Sequence, residues 1–130
     1  MSVVKGKRGT SKLQFLESAR ELYVINIRYC ENLPKKHYHY LQEPYSRALA
    51  DMLTYLKMGN SIYPTNEAEA QLRREYFLKA YASLQAAVSF LGIIQDMGLL
   101  TERQITYISC KMSEELKLIK GILKTDKTRF

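Results

Sequence analysis

His37 and His39 stand two residues apart, so on a helix they point to different faces, whereas helical metal pairs use spacings of three or four. A surface or loop role is expected for both. The carboxylates form no Glu-x-x-His pattern of the kind that holds metals inside bundles. Cys30 and Cys110 are far apart, belong to no Cys-x-x-Cys pair and sit among apolar residues at helical spacing, which predicts two buried, reduced thiols. Gly92 and Gly121 are isolated within helical patterns and build no phosphate-cradling loop; their simplest role is to let neighbouring helices approach. With no convergent set of acids, bases or ligands, the expectation is a non-enzyme that uses no metal and no cofactor.

The basic residues carry more. Twenty Lys and Arg against thirteen Asp and Glu leave a formal net charge of +7, which favours a polyanionic partner, nucleic acid first, although a charge that only solubilises is the plain alternative. Glu69 stands four residues before Arg73, and Glu75 four before Lys79, the favourable order for surface pairs on a helix. Arg74, Lys120, Lys124 and Lys127 have no acid three or four residues away on either side. Lys117, Lys120, Lys124 and Lys127 recur at helical spacing one residue after an apolar stripe. Such a strip can lie along a phosphate backbone; lysines near a helix C-terminus also complement its dipole, by about 0.3–1 kcal/mol each. Lys5, Lys7 and Arg8, interspersed with Gly6 and Gly9 and with no acid nearby, describe a mobile basic arm over residues 1–11. Tyr38, Tyr40 and Tyr45 lie close to Lys35, Lys36 and Arg47, an interleaving that could stack on bases or equally line a bundle edge or subunit contact.

Four helical patterns must position these residues. Residues 12–32 open on a capping box of Ser11 and Gln14 and carry Leu13, Leu16, Ala19, Tyr23, Ile27 and Cys30 at helical spacing. Pro34 ends them. Residues 37–61 run through Leu41, Tyr45, Ala48, Leu49, Met52 and Leu56; Pro44 either starts this helix or bends one longer helix, and the bent helix is preferred. Residues 65–98 read as the longest helix, with Asn66 and Glu69 as a capping box and Gly98 able to take the left-handed turn that ends it. Between these marks run two stripes, one of Leu72, Tyr76, Ala80, Leu84, Ala87, Leu91 and Ile94, the other of Phe77, Tyr81, Leu84, Val88 and Leu91. Two adjoining stripes suit a helix packed on two neighbours. Thr101 and Gln104 form a third capping box before a helix reaching about residue 124, with Ile105, Ile108, Met112, Leu116, Ile119 and Leu123 as its face.

Short connections and no strand-like alternation predict an all-α fold, an antiparallel up-down-up-down four-helix bundle, over residues 12–125 with a short tail at 126–130. At 130 residues, 46% of them hydrophobic and 25% charged, the chain fits one domain with a real core. No uninterrupted apolar run reaches the eighteen or so residues of a membrane span. The basic start lacks the long apolar segment of a secretory signal, and the expected compartment is the cytoplasm.

Particular stretches also resemble a family. MSVVKGKRGTSKL at the start, KLQFLESARELY at 12–23, LPKK at 33–36 and GNSIYPTNEAEAQLRREYFLKAYASL at 59–84 resemble small bacterial four-helix-bundle proteins. That family includes proteins encoded within intervening sequences of 23S ribosomal RNA genes and the accessory variability determinants of diversity-generating retroelements. The resemblance implies a basic bundle that assembles into a ring-like homopentamer. In retroelements it implies binding to a reverse transcriptase and to nucleic acid, RNA or DNA. The matching basic positions are Arg73 and Arg74. The intervening-sequence branch links its second and third helices through a short Ala-Glu-Gly type of turn, whereas this chain has SIYPTNEAEA, a departure toward the retroelement branch. Helix four matches less clearly, so its lysine strip rests on the charge argument.

Overall fold

The structure, a computed structural model, describes residues 3–126, with side chains from residue 13 onward. Four long helices dominate it: α1 (Val3–Cys30), α2 (Glu43–Asn60), α3 (Glu67–Asp96) and α4 (Glu102–Asp126), with no strand among the described residues. α2 packs on α3, α3 on α4, α4 on α1 and α1 on α2, a closed cycle that fits a four-helix bundle. The α1 backbone is helical from Val3, so the capping box at Ser11 and Gln14 does not mark its first turn. Side chains of residues 1–12, including Lys5, Lys7 and Arg8 of the expected arm, and residues 127–130, Lys127 included, lie outside the described residues.

Two of the three expected caps form. The Asn66 side chain accepts from the Glu69 amide at 2.9 Å, and the Glu69 carboxylate reaches back to the Thr65 amide and hydroxyl at 2.8 and 2.9 Å. Those bonds, led by the one from the Thr65 amide, hold the Glu69 carboxyl below its usual range. Thr101 and Gln104 exchange the reciprocal pair at 3.1 and 2.9 Å. α3 ends with Gly98 at φ +66°, the Leu99 amide bonding to the Ile94 carbonyl and the Gly98 amide to that of Gln95. This is the left-handed termination that satisfies the last carbonyls.

The connection before α2 departs from the bent helix. Lys35–His37 form a 3-10 turn and Tyr38–Gln42 a wider π turn, in which the Glu43 amide bonds to the Tyr38 carbonyl. α2 then starts with Pro44 in its first turn, where the missing amide hydrogen costs no bond.

The core lines are Leu41 of the π turn with α2's Tyr45, Ala48, Leu49, Met52 and Leu56, as expected, and α3's Phe77, Ala80, Leu84, Ala87, Leu91 and Ile94. α1 buries Phe15, Ala19, Leu22, Asn26 and Cys30, leaving the expected Leu13 and Ile27 40% and 45% exposed. Asn26 disguised that line. Its amide donates to the Ser46 hydroxyl at 3.2 Å and its carbonyl oxygen accepts from the Cys30 thiol at 3.5 Å, so a polar residue is satisfied inside. Burial pushes the Cys30 thiol up to about 11. Cys110 was expected inside and is exposed, because it stands on the side of α4 away from Ile108 and Met112.

On α4 the buried line is Ile105, Ile108, Met112, Glu115, Ile119 and Leu123, with Leu116 only half-buried. The glycines also differ from expectation. A Cβ at Gly92 or Gly121 would meet nothing within 4 Å, whereas one at Gly59 would stand 2.8 Å from the Phe77 ring. Close approach is therefore a property of the α2–α3 contact at Gly59.

Candidate nucleic-acid interface

Arg73 and Arg74 are neighbours in the first turns of α3. The expected partner of Arg73, Glu69, is engaged at the N-terminus of α3, where open amides draw its carboxylate. Arg73 turns instead to three other elements. It donates from Nε to Asp126 at 2.7 Å, and from one terminal nitrogen to the carbonyls of Gly59 at 2.9 Å and Ile62 at 3.0 Å. Its guanidinium lies over the Phe77 ring, 4.8 Å from the centroid, and its side chain is only 12% exposed. Arg74 donates to the Leu123 carbonyl at 2.6 Å.

These two residues grip the last turn of α2, the loop after it and the last turn of α4, where carbonyls left open by helix termination concentrate negative charge. The clasp pairs the charge of Arg73 with Asp126 and holds the Arg74 guanidinium against a carbonyl. Arg73, half of the double arginine expected at a phosphate, is thereby withdrawn from solvent as a fork shared among Asp126 and two carbonyls. No acid stands three or four residues from Arg74 on either side, and its partner proves to be a carbonyl on another helix, which residue spacing within α3 cannot reveal.

The strip on α4 behaves differently. Lys117, Lys120 and Lys124 are all exposed. Lys117 and Lys124 make no ion pair or hydrogen bond among the described residues, and Lys120 places its ammonium 5.8 Å from the centroid of the Tyr81 ring on α3. One turn of helix separates successive members, a spacing that leaves cations free to meet successive phosphates. Lys79 likewise has no bond to Glu75; it lies over Tyr55 and Tyr76, two rings stacked 6.2 Å apart, at 5.7 and 5.8 Å. A ring face attracts an ammonium without neutralising it.

The tyrosine cluster divides. Tyr45 is fully buried with its hydroxyl unpartnered, and burial raises the pKa of its phenol; Arg47 is held by Glu43, with one bond at 3.0 Å from Nε. Tyr38, Tyr40, Lys35 and Lys36 remain exposed. His37, expected at the surface, is 8% exposed with Nδ1 unpartnered, while His39 is exposed. The 3-10 turn folds His37 inward against Tyr40, edge to face at 6.1 Å.

Sequence reasoning missed Glu115. It is fully buried, both carboxylate oxygens lack a partner, and desolvation pushes its carboxyl up to about 8. Its place in the buried line, four residues before Ile119 and three after Met112, was the available signal. No group of three or more His, Cys, Asp and Glu side chains able to hold a metal occurs among the described residues. No model of a known protein family matches this chain, and no curated protein matches it either.

Proposed function

We propose that this chain is a non-enzymatic, basic accessory protein that binds nucleic acid through the outer side of α4. The exposed run of Lys117, Lys120 and Lys124, with no carboxylate paired to it among the described residues, carries that reading. Non-specific phosphate contact needs such free cations and little else. The net charge of +7 supports it. The resemblance of residues 12–84 to the accessory variability determinants extends the reading: an antiparallel up-down-up-down bundle, assembled as a homopentamer in the cytoplasm, that serves a reverse transcriptase in a diversity-generating retroelement. The clasp supports the antiparallel order, because the start of α3 meets the ends of both α2 and α4.

Titration of labelled RNA and DNA across a salt series tests the binding. For every phosphate that the protein ceases to neutralise, the slope of log affinity against log salt should fall by about 0.7–0.9. Lys117→Glu, Lys120→Glu and Lys124→Glu together are expected to remove most of that slope; wild-type protein that shows no binding at low salt overturns the reading. The second reading, a protein-docking bundle of the intervening-sequence type, is favoured by the exposed apolar side of α3. Under it the triple variant keeps partner capture intact.

A further inference from the structure

An open hollow of about 850 Å³ lies at one end of the bundle, between residues 13–15 of α1, the end of α2 with the loop after it, and the last turns of α4. That volume falls within the roughly 300–1,000 Å³ of sites that take small ligands. Its charges are paired. Among the described residues that line it, only Arg73 and Asp126 are charged, and they are bonded to each other at 2.7 Å. The rest of the lining suits a neutral, planar group: Phe15, Leu118 and Ile122 supply apolar wall, whereas the side-chain amides of Gln14 and Asn60 make no hydrogen bond to any described residue. An amide offers a donor and an acceptor side by side, the match for the edge of a nucleobase.

Tyr63 stands at the rim. It lines the hollow yet is 81% exposed, more than any other large apolar side chain described. Its loop is held in place, because the Pro64 ring restricts the backbone on either side of their shared bond and the Thr65 amide is bonded to Glu69 at 2.8 Å. A fixed, open aromatic face is a platform on which a base stacks.

The free cations lie beside the hollow rather than in it. Leu118, Gly121 and Thr125 of its lining each directly follow a member of the strip, Lys117, Lys120 and Lys124, and the next residue on a helix stands about 100° round it. Strip and hollow therefore run side by side over two turns of α4. Between them Gly121 presents no side chain, and a Cβ there would meet nothing within 4 Å, so the passage is open. Charge outside and a neutral planar group inside is the division within a single nucleotide. A duplex keeps its bases stacked within itself, whereas a single strand can turn them out onto a protein.

We infer that the hollow takes an unpaired base of a single-stranded nucleic acid whose phosphates lie along Lys117, Lys120 and Lys124, the base stacking on Tyr63 and meeting the Gln14 and Asn60 amides at its edge. The inference rests on the proposed nucleic-acid binding and adds a preference for single strands that phosphate contact alone does not supply.

The test uses full-length protein and two labelled probes with equal numbers of phosphates, a mixed-sequence single strand and a strand of abasic spacers, titrated at low salt. Wild type should bind the base-bearing strand at least about fivefold more tightly, as the stacking of one base on an aromatic ring supplies. Tyr63→Ala should bring that ratio close to one. Its affinity for the abasic strand, its salt slope and its melting temperature should stay as in wild type, because neither a phosphate contact nor a core contact is lost. Tyr63→Phe, which keeps the ring, should keep the ratio. Gly121→Leu fills the passage at a position where a Cβ crowds nothing and replaces a poor helix former, so it should melt no lower than wild type and still lose the ratio. A wild-type ratio close to one, or either Tyr63→Ala or Gly121→Leu retaining the preference, overturns the base hollow and leaves the lysine strip standing. Wild type that binds neither probe overturns both.

Discussion

The two sides of α4 near its C-terminus use positive charge in opposite ways. Toward α3, two arginines are spent on the helix end: Arg73 on Asp126 and Arg74 on the Leu123 carbonyl. Along its exposed side, Lys117 and Lys124 are bound to nothing described, and Lys120 lies over the Tyr81 ring. A planar fork of donors suits arginine to a fixed set of acceptors, whereas a hydrated ammonium on a flexible stem costs little to leave in water. Cations of one sign on one helix end therefore divide into structure and surface. Glu115, on the interior side of the same helix, is a third case, neither gripped nor solvated.

The largest effect is expected from Arg73→Ala. It removes the partner of a nearly buried Asp126 and two carbonyl bonds, and breaking a buried pair from one side costs about 3–5 kcal/mol. Urea denaturation should read that loss, while nucleic-acid affinity of the folded fraction stays within about twofold of wild type, since the clasp holds no phosphate. A large loss of affinity without loss of stability would erase the distinction between clasp and strip.

Glu115 comes next, through pH. Its folded-state value of about 8 lies above the ordinary 4.5, so the folded protein holds a proton that the unfolded chain has released. The associated stability is complete below about pH 4.5 and is lost as pH rises toward 8, at up to about 1.4 kcal/mol per unit. Glu115→Gln should flatten this part of a denaturation series taken between about pH 5 and 8. An unchanged slope in the variant would mean that the carboxyl is solvated.

The smallest change in stability belongs to the strip. Lys117→Glu, Lys120→Glu and Lys124→Glu together should shift stability by no more than about 2 kcal/mol, since isolated surface substitutions stay within about 0.5 kcal/mol each and the helix-end dipole adds a little. A melting curve checks it. Marked destabilisation would make the strip a capping device, as its position near the helix end allows.

Much of the scaffold was legible in the sequence because it is local. Asn66 with Glu69, Thr101 with Gln104, and Gly98 act within a few residues of themselves, so spacing alone reveals them. The α2 face was equally plain, since Tyr45, Leu49, Met52 and Leu56 at helical spacing all point inward. α1 was misread because a satisfied Asn26 sits in its buried line, and Cys110 because apolar neighbours do not fix the side on which a residue stands. The candidate site was half legible: the lysine strip was found by the absence of local acids, while the fate of the arginines was not.

The sequence by itself determined four amphipathic helices, their caps and the excess of positive charge, all of which follow from residue type and spacing along one element. Only the tertiary structure decided which cations are free. Partners such as Asp126, the Gly59 and Ile62 carbonyls and the Leu123 carbonyl lie 11 to 53 residues away from the arginines that hold them. Whether a charge is neutralised depends on what packing brings within about 3 Å, and that distance is set by how helices meet rather than by how residues follow one another.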